Sequence, residues 1–185
     1  MLDAQELGTH LRQAQRSLFR LEIQPAYDVP TDGNDFERYL AGEPGPDMVR
    51  KSRWLDFLRE QRTQGIYRHR VRVVSTPLSD YDRYAAEWGY AYNVPAGDDT
   101  RILDLAKHSH LAGARSWDDF WLIDDNEVVL MHYDSDGHFL GAELADPDAT
   151  DRYRAVRDTV WRAAEPFSAW WHRHPEYHRS ARKAS

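Results

Sequence analysis

Residues 120–144 read FWLIDDNEVVLMHYDSDGHFLGAEL. Three apolar, β-branched or aromatic runs, Phe120–Ile123, Val128–Tyr133 and His138–Leu144, are separated by Asp124-Asp125-Asn126 and by Asp136-Gly137. Short apolar runs broken by residues that accept turn geometry predict strands joined by hairpins. An antiparallel meander is therefore expected here.

Working outward, Ile66–Ser75 (IYRHRVRVVS) alternates strictly and is rich in β-branched residues, so it reads as another strand, ended by Pro77. Ser79 then suits an N-cap, with Tyr81, Tyr84, Ala85 and Trp88 forming a helical stripe behind it. After a loop at Asn93–Asp99, Ile102, Leu103 and Leu105 suggest a short strand or edge segment. On the far side, Asp146-Pro147 opens a closing helix carrying Tyr153, Val156, Val160 and Ala164. Pro166 stops it, and Phe167, Trp170 and Trp171 are expected to fold back on the core.

The first third is mainly helical. Leu7, Leu11, Ala14 and Leu18 recur at helical spacing, and Leu21 and Ile23 then alternate with polar neighbours up to Pro25, which suggests a short extended strand. A loop at Val29–Asn34 leads to a short helix through Phe36, Tyr39 and Leu40. The breaker AGEPGP at Ala41–Pro46 precedes a longer helix, capped by Asp47 and stopped at Gly65. The fold expected is α+β (mixed α/β): one domain over residues 1–175, a mixed β-sheet packed by helices. Residues 1–65 would form an N-terminal helical layer, 66–175 the sheet and a long C-terminal helix, and 176–185 a flexible tail.

Composition narrows the function classes. At 185 residues the chain has the size of one domain, and seven Trp, ten Tyr and six Phe supply ample area for a core. The absence of cysteine excludes disulfides, thiolate metal sites and cysteine nucleophiles, and fits a reducing cytoplasm. Arg12, Arg16 and Arg20 interrupt any signal-peptide core, and no run is apolar enough to cross a bilayer, so a cytoplasmic protein without membrane contact is expected. A net charge of −7 repels nucleic acid on average, so no direct nucleic-acid binding is expected.

The densest functional signal is Arg68, Arg70 and Arg72, which alternation places on one side of a strand. Guanidiniums in a row call for anions: either a phosphate, carboxylate or acidic peptide, or the chain's own acids, for which Asp118, Asp119 and Asp104 are the candidates. The expected ligand-binding set is Arg68, Arg70 and Arg72 with Asp119, Trp121 and Trp117. His172, His174 and His178 have spacing that suits a metal, but Pro175 interrupts them, so surface histidines are the simpler reading; His108 and His110 lack a clear third ligand. Asp134–Gly137 is read as a hairpin turn rather than a calcium loop, since the further oxygen ligands are missing. Paired acids such as Asp98 with Asp99 carry little information in so acidic a chain. No nucleophile elbow, phosphate loop, dinucleotide fingerprint or zinc-protease motif occurs, so no catalytic residue, cofactor or metal site is expected.

Four stretches carry a family resemblance: RVRVVSTPLSDYDRYAAEWGYAYNVPAGDDTRILD, DDFWLIDDNEVVLMHYDSDGHFLGAEL, YLAGEP with its neighbour Trp54, and DRYRAVRDTVWRAAEPF. Together, from Leu18 to Phe167, they resemble an actinobacterial, Streptomyces-type family of unknown function whose members are often encoded beside helix-turn-helix regulators. The order of a helix, a strand "GxxVRVV" and "FWLIDD" also resembles half of a phospholipase D-like fold. The place of its catalytic His-x-Lys here reads Asp119-Phe120-Trp121, which implies a degenerate, non-hydrolytic version.

The expectation is a non-catalytic binding or regulatory accessory protein, working with a protein partner such as a helix-turn-helix regulator and sensing a small anionic ligand. The alternatives are a hydrolase or phosphodiesterase with Asp119 as base beside the arginines, and a toxin–antitoxin component.

Overall fold

Asp3 opens the first helix, α1 (Ala4–Leu11), through a reciprocal capping box with Glu6. The helical stripe predicted through Ala14 and Leu18 stops at Leu11. The carboxylate of Asp124, far along the chain, takes the N–H groups of Gln15, Arg16 and Ser17 at 2.7–3.0 Å, bonds that a continuing helix would have needed for itself. Leu18 therefore lies in β1 (Ser17–Glu22). The computed structural model describes residues 1–28 and 33–182, so most of the loop expected at 29–34 lies outside the described residues.

Next come α2 (Asp35–Leu40) and α3 (Met48–Thr63), the latter capped by Asp47 through the N–H groups of Val49 and Arg50. Strand β2 (Tyr67–Val74) comes after them, then α4 (Asp80–Tyr84) with Ser79 as its cap. That helix runs through a π-helical turn, Ala85–Tyr90, into α5 (Ala91–Ala96). Strand β3 (Asp98–Asp104) is longer than the predicted segment and internal, not an edge. The meander is β4 (Asp119–Ile123), β5 (Glu127–Tyr133) and β6 (Phe139–Leu144). At its first turn Asp124 and Asp125 take φ 52° and 62°, the left-handed pair that tight hairpin turns use. The chain closes with α6 (Thr150–Ala163), the two-residue β7 (Glu165–Pro166), α7 (Phe167–His172) and α8 (Arg179–Arg182).

Among the described residues the strands form one mixed sheet, ordered β6-β5-β4-β1-β2-β3-β7. The β1–β2–β3 centre is parallel, and the flanking pairings are antiparallel. One face carries Phe19, Leu21, Val71, Val73, Leu103, Phe120 and Leu122, buried against Tyr153 and Val160 of α6 and Ala164 just after it. The other carries the charged side chains of the central strands, and α3 and α5 pack on its side.

Within the segment expected as a flexible tail, Tyr177 is buried and His178 half-buried. Trp170 stacks near-parallel with Trp171 and Tyr177; His178 stacks on Trp171, and His174 lies tilted against Trp170. Trp170 is 1% exposed, so apolar area supplies the reason the terminal turns stay down. Residues 183–185 lie outside the described part.

Candidate functional site

Alternation puts Arg68, Arg70 and Arg72 on one face of β2 and His69, Val71 and Val73 on the other. Register decides what stands beside them. On β1, Leu18, Arg20 and Glu22 align with Arg68, Arg70 and Arg72; on β3, Asp98, Thr100 and Ile102 do so. From β4, Trp121 lies opposite Arg20, and Asp119 extends the same face.

A cluster of four guanidiniums and four carboxylates results. Arg70 reaches Glu22 at 2.7 Å and Asp98 at 2.6 Å. Arg72 pairs with Asp82 of α4 at 2.8 Å and donates to the Pro25 carbonyl at 3.3 Å. Arg20 pairs with Asp119, which also accepts from the Ile23 N–H and from the hydroxyl of Tyr27. The acids predicted for Arg68–Arg72, namely Asp118, Asp119 and Asp104, are not their partners: Asp118 accepts from Tyr153 on the opposite face, Asp104 holds Thr76, and Asp119 is taken by Arg20. Sequence proximity said nothing of the parallel register that supplies Glu22 and Asp98.

Arg68 stands apart. It donates to Gln61 at 3.0 Å and lies between Trp54 and Trp121, 5.1 Å from each ring centre. Burial, together with repulsion from Arg70, lowers its pKa to about 10 despite the pull of Asp98. Glu22 shows the opposite balance. Burial would raise its carboxyl, yet Arg70, Arg20, Arg72 and the Tyr90 hydroxyl at 2.7 Å together hold it below its usual range. Burial pushes Asp119 up, against Arg20, Tyr27 and the Ile23 N–H, so it takes a proton more readily than an exposed aspartate.

Residues Gln24–Asp28 form a strap over this cluster. Tyr27 lays its ring over Arg72, 5.3 Å from the guanidinium carbon, and packs edge-on against Tyr133. The strap is fastened to the β5–β6 hairpin by the Asp28 N–H to the Gly137 carbonyl at 3.0 Å, and by His138, which reaches Asp28 at 3.2 Å and Asp134 at 2.9 Å.

Of the predicted set, Arg68, Arg70, Arg72, Asp119 and Trp121 come together on this face. Trp117 does not; it packs against the α6-side core. Arg20, Glu22, Tyr27, Asp82, Tyr90 and Asp98 were missed. The visible signal for two of them was the Arg20-x-Glu22 alternation in β1, matched to Arg-x-Arg-x-Arg in β2. The histidines with metal-like spacing do not converge: His174 meets Glu176, His178 meets the Trp171 carbonyl, and His108 and His110 stack edge-on. Asp134, Asp136 and His138 have ligand atoms close enough to hold a metal, but Asp134 is occupied in making the hairpin turn, accepting from the N–H groups of Asp136 and His138.

The family model described as "Domain of unknown function (DUF6879)" matches residues 5–172, which include every residue of the cluster and the strap. The chain belongs to the DUF6879 family. No curated protein sequence matches it. In this DUF6879 chain no described helix is long and apolar enough to cross a membrane.

Proposed function

We propose that this protein is a non-catalytic cytoplasmic accessory protein that acts by binding a protein partner, a DNA-binding regulator of the helix-turn-helix class, and whose core responds to an anion. One observation carries the non-catalytic reading. Glu22, Asp82, Asp98 and Asp119, the acids of the one dense charged constellation among the described residues, are each engaged by a guanidinium of that same constellation. A general base must reach the proton it abstracts, and carboxylates so engaged keep little or no open side for a substrate. Asp119, the candidate base of the hydrolase alternative, is 2% exposed and faces Arg20, Tyr27 and the backbone.

The partner class comes from the resemblance to actinobacterial proteins encoded beside such regulators, and the −7 net charge suits a partner with a basic surface. Leu40, Met48 and Val49, at the end of α2 and the start of α3, leave exposed apolar area of the kind that interfaces cover. The degenerate phospholipase D-like reading fits the same picture, since an ion-paired aspartate stands where that motif would be.

The test is to combine the purified protein with the helix-turn-helix regulator encoded next to its gene. Size-exclusion chromatography with light scattering should give a complex, and gel-shift titration should show the regulator's operator affinity changed by it. Separate elution at micromolar concentrations with an unaltered gel shift removes the proposal.

A further inference from the structure

One histidine joins the Gln24–Asp28 strap to the β5–β6 hairpin by both ring nitrogens. His138 Nδ1 lies 2.9 Å from Asp134 within the hairpin, and Nε2 lies 3.2 Å from Asp28 at the outer end of the strap. An ionised carboxylate only accepts, and a neutral imidazole carries one donor and one acceptor. Both contacts are therefore hydrogen bonds only while the ring is charged. Among the described residues the charged groups that act on it are acids: Asp134 first, then Asp28 of the strap and Asp136 of the hairpin. Together they raise its pKa above the ordinary 6.5, against desolvation.

We infer that His138 is a proton-operated clasp: the imidazolium pins the outer end of the strap to the hairpin, and the neutral ring releases it. Geometry decides which bond is lost. Asp134 is fixed by the N–H groups of Asp136 and His138, each at 2.9 Å, and holds Nδ1 at the shorter distance, so the remaining proton stays on Nδ1. Nε2 then turns a lone pair to the Asp28 carboxylate, and Asp28 faces Asp134 and Asp136 with no positive charge between them. Its N–H, 3.0 Å from the Gly137 carbonyl, is the fastening that remains. A group whose pKa is raised in the closed form favours closure below that pKa and ceases to as pH rises through it. His138 and Asp28 are both half exposed, so salt screens the contact and its loss is a local opening, not unfolding. The inner end of the strap lays Tyr27 over Arg72, itself 1% exposed, so the clasp sets how readily water reaches the charged cluster from this side.

The inference goes beyond the proposed function and is tested on the isolated chain, so its failure leaves the partner reading standing, and the reverse. The His138 ring is titrated by NMR between about pH 5 and 9 in the wild-type protein, Asp28→Asn and His138→Gln, the last serving to assign the signal. Hydrogen exchange of residues 24–28, corrected for the intrinsic pH dependence of amide exchange, is followed over the same range. The wild-type His138 midpoint is expected above about 6.5, and lower in Asp28→Asn. Strap amides should exchange about two- to fivefold faster above that midpoint while sheet amides stay unchanged. The step should vanish in His138→Gln and flatten in Asp28→Asn, whose amide can donate to a neutral ring as well as accept from a charged one. The wild-type protein alone supplies a second check, because the exchange step and the ring titration must share one midpoint. Equal His138 midpoints with and without the Asp28 charge overturn the inference. So does a strap that shows no step in the wild-type protein, or one that persists in His138→Gln.

Discussion

Asp98 is 0% exposed and lies 2.6 Å from Arg70, with Arg68 as its partner across the β2–β3 ladder. Removing one member of a buried pair strands the other charge in a medium that solvates it poorly. Asp98→Asn should therefore destabilise the fold by about 3–5 kcal/mol, read from urea unfolding. A loss below about 1 kcal/mol would show that Glu22 alone suffices for Arg70. His69, on the other face of the same strand, is packed among Phe19, Tyr67 and Trp161. Burial, helped by Arg157, lowers its pKa to about 4 from 6.5, outweighing the pull of the Tyr67 carbonyl. The unfolded chain thus binds this proton first, so stability is intact above pH about 6.5 and falls as pH drops toward 4, by about 3 kcal/mol in all. Glu22, with its depressed carboxyl, adds a loss at still lower pH. In thermal unfolding across that range, His69→Phe should flatten the upper part of the curve; an unchanged profile would place the acid sensitivity elsewhere.

At the scale of elements, the strap depends on its seat. Gly137 has φ 87°, and a Cβ there would lie 2.6 Å from the Ala26 carbonyl oxygen, a backbone atom that can yield only if the strap moves. Gly137→Ala should cost about 1–3 kcal/mol and raise hydrogen exchange in residues 24–28 ahead of the sheet. Exchange unchanged there would mean that the hairpin gives way instead of the strap. The π-helical turn Ala85–Tyr90 has a similarly local effect, because an altered turn rotates the residues on its C-terminal side. It delivers the Tyr90 hydroxyl to Glu22, and Tyr90→Phe should cost about 1–2 kcal/mol in chemical unfolding with the secondary structure retained. These devices were only partly legible: Ser79, Asp47 and Asp146-Pro147 announced their caps, while no local pattern announced a strap.

On the scale of the whole molecule, the C-terminal segment closes the fold. Trp170, Phe167 and Tyr177 are buried with Tyr90, Ile102 and Leu78, so the last turns cover a core made by β3 and the α4–α5 stretch. Arg179 also donates its backbone N–H to Glu87. Deleting residues 173–185 should expose the tryptophan face and lower stability by about 2 kcal/mol or more, visible by calorimetry and by increased binding of an apolar dye. An unchanged unfolding temperature would mean that the terminal turns contribute nothing.

By itself the sequence determined the α+β class, the meander from Phe120 to Leu144, the alternation of β2 and most helix starts. Those features depend on period, caps and turns, which reside within a few neighbouring residues. Only the tertiary structure decided that Leu18 leaves the helix, that Tyr177 packs down on Trp170, and that Arg70 meets Glu22 and Asp98. The first and last of those outcomes rest on contacts between segments far apart in the chain. Parallel register across long crossovers is fixed by the packing of whole layers, and no stretch of local pattern carries it.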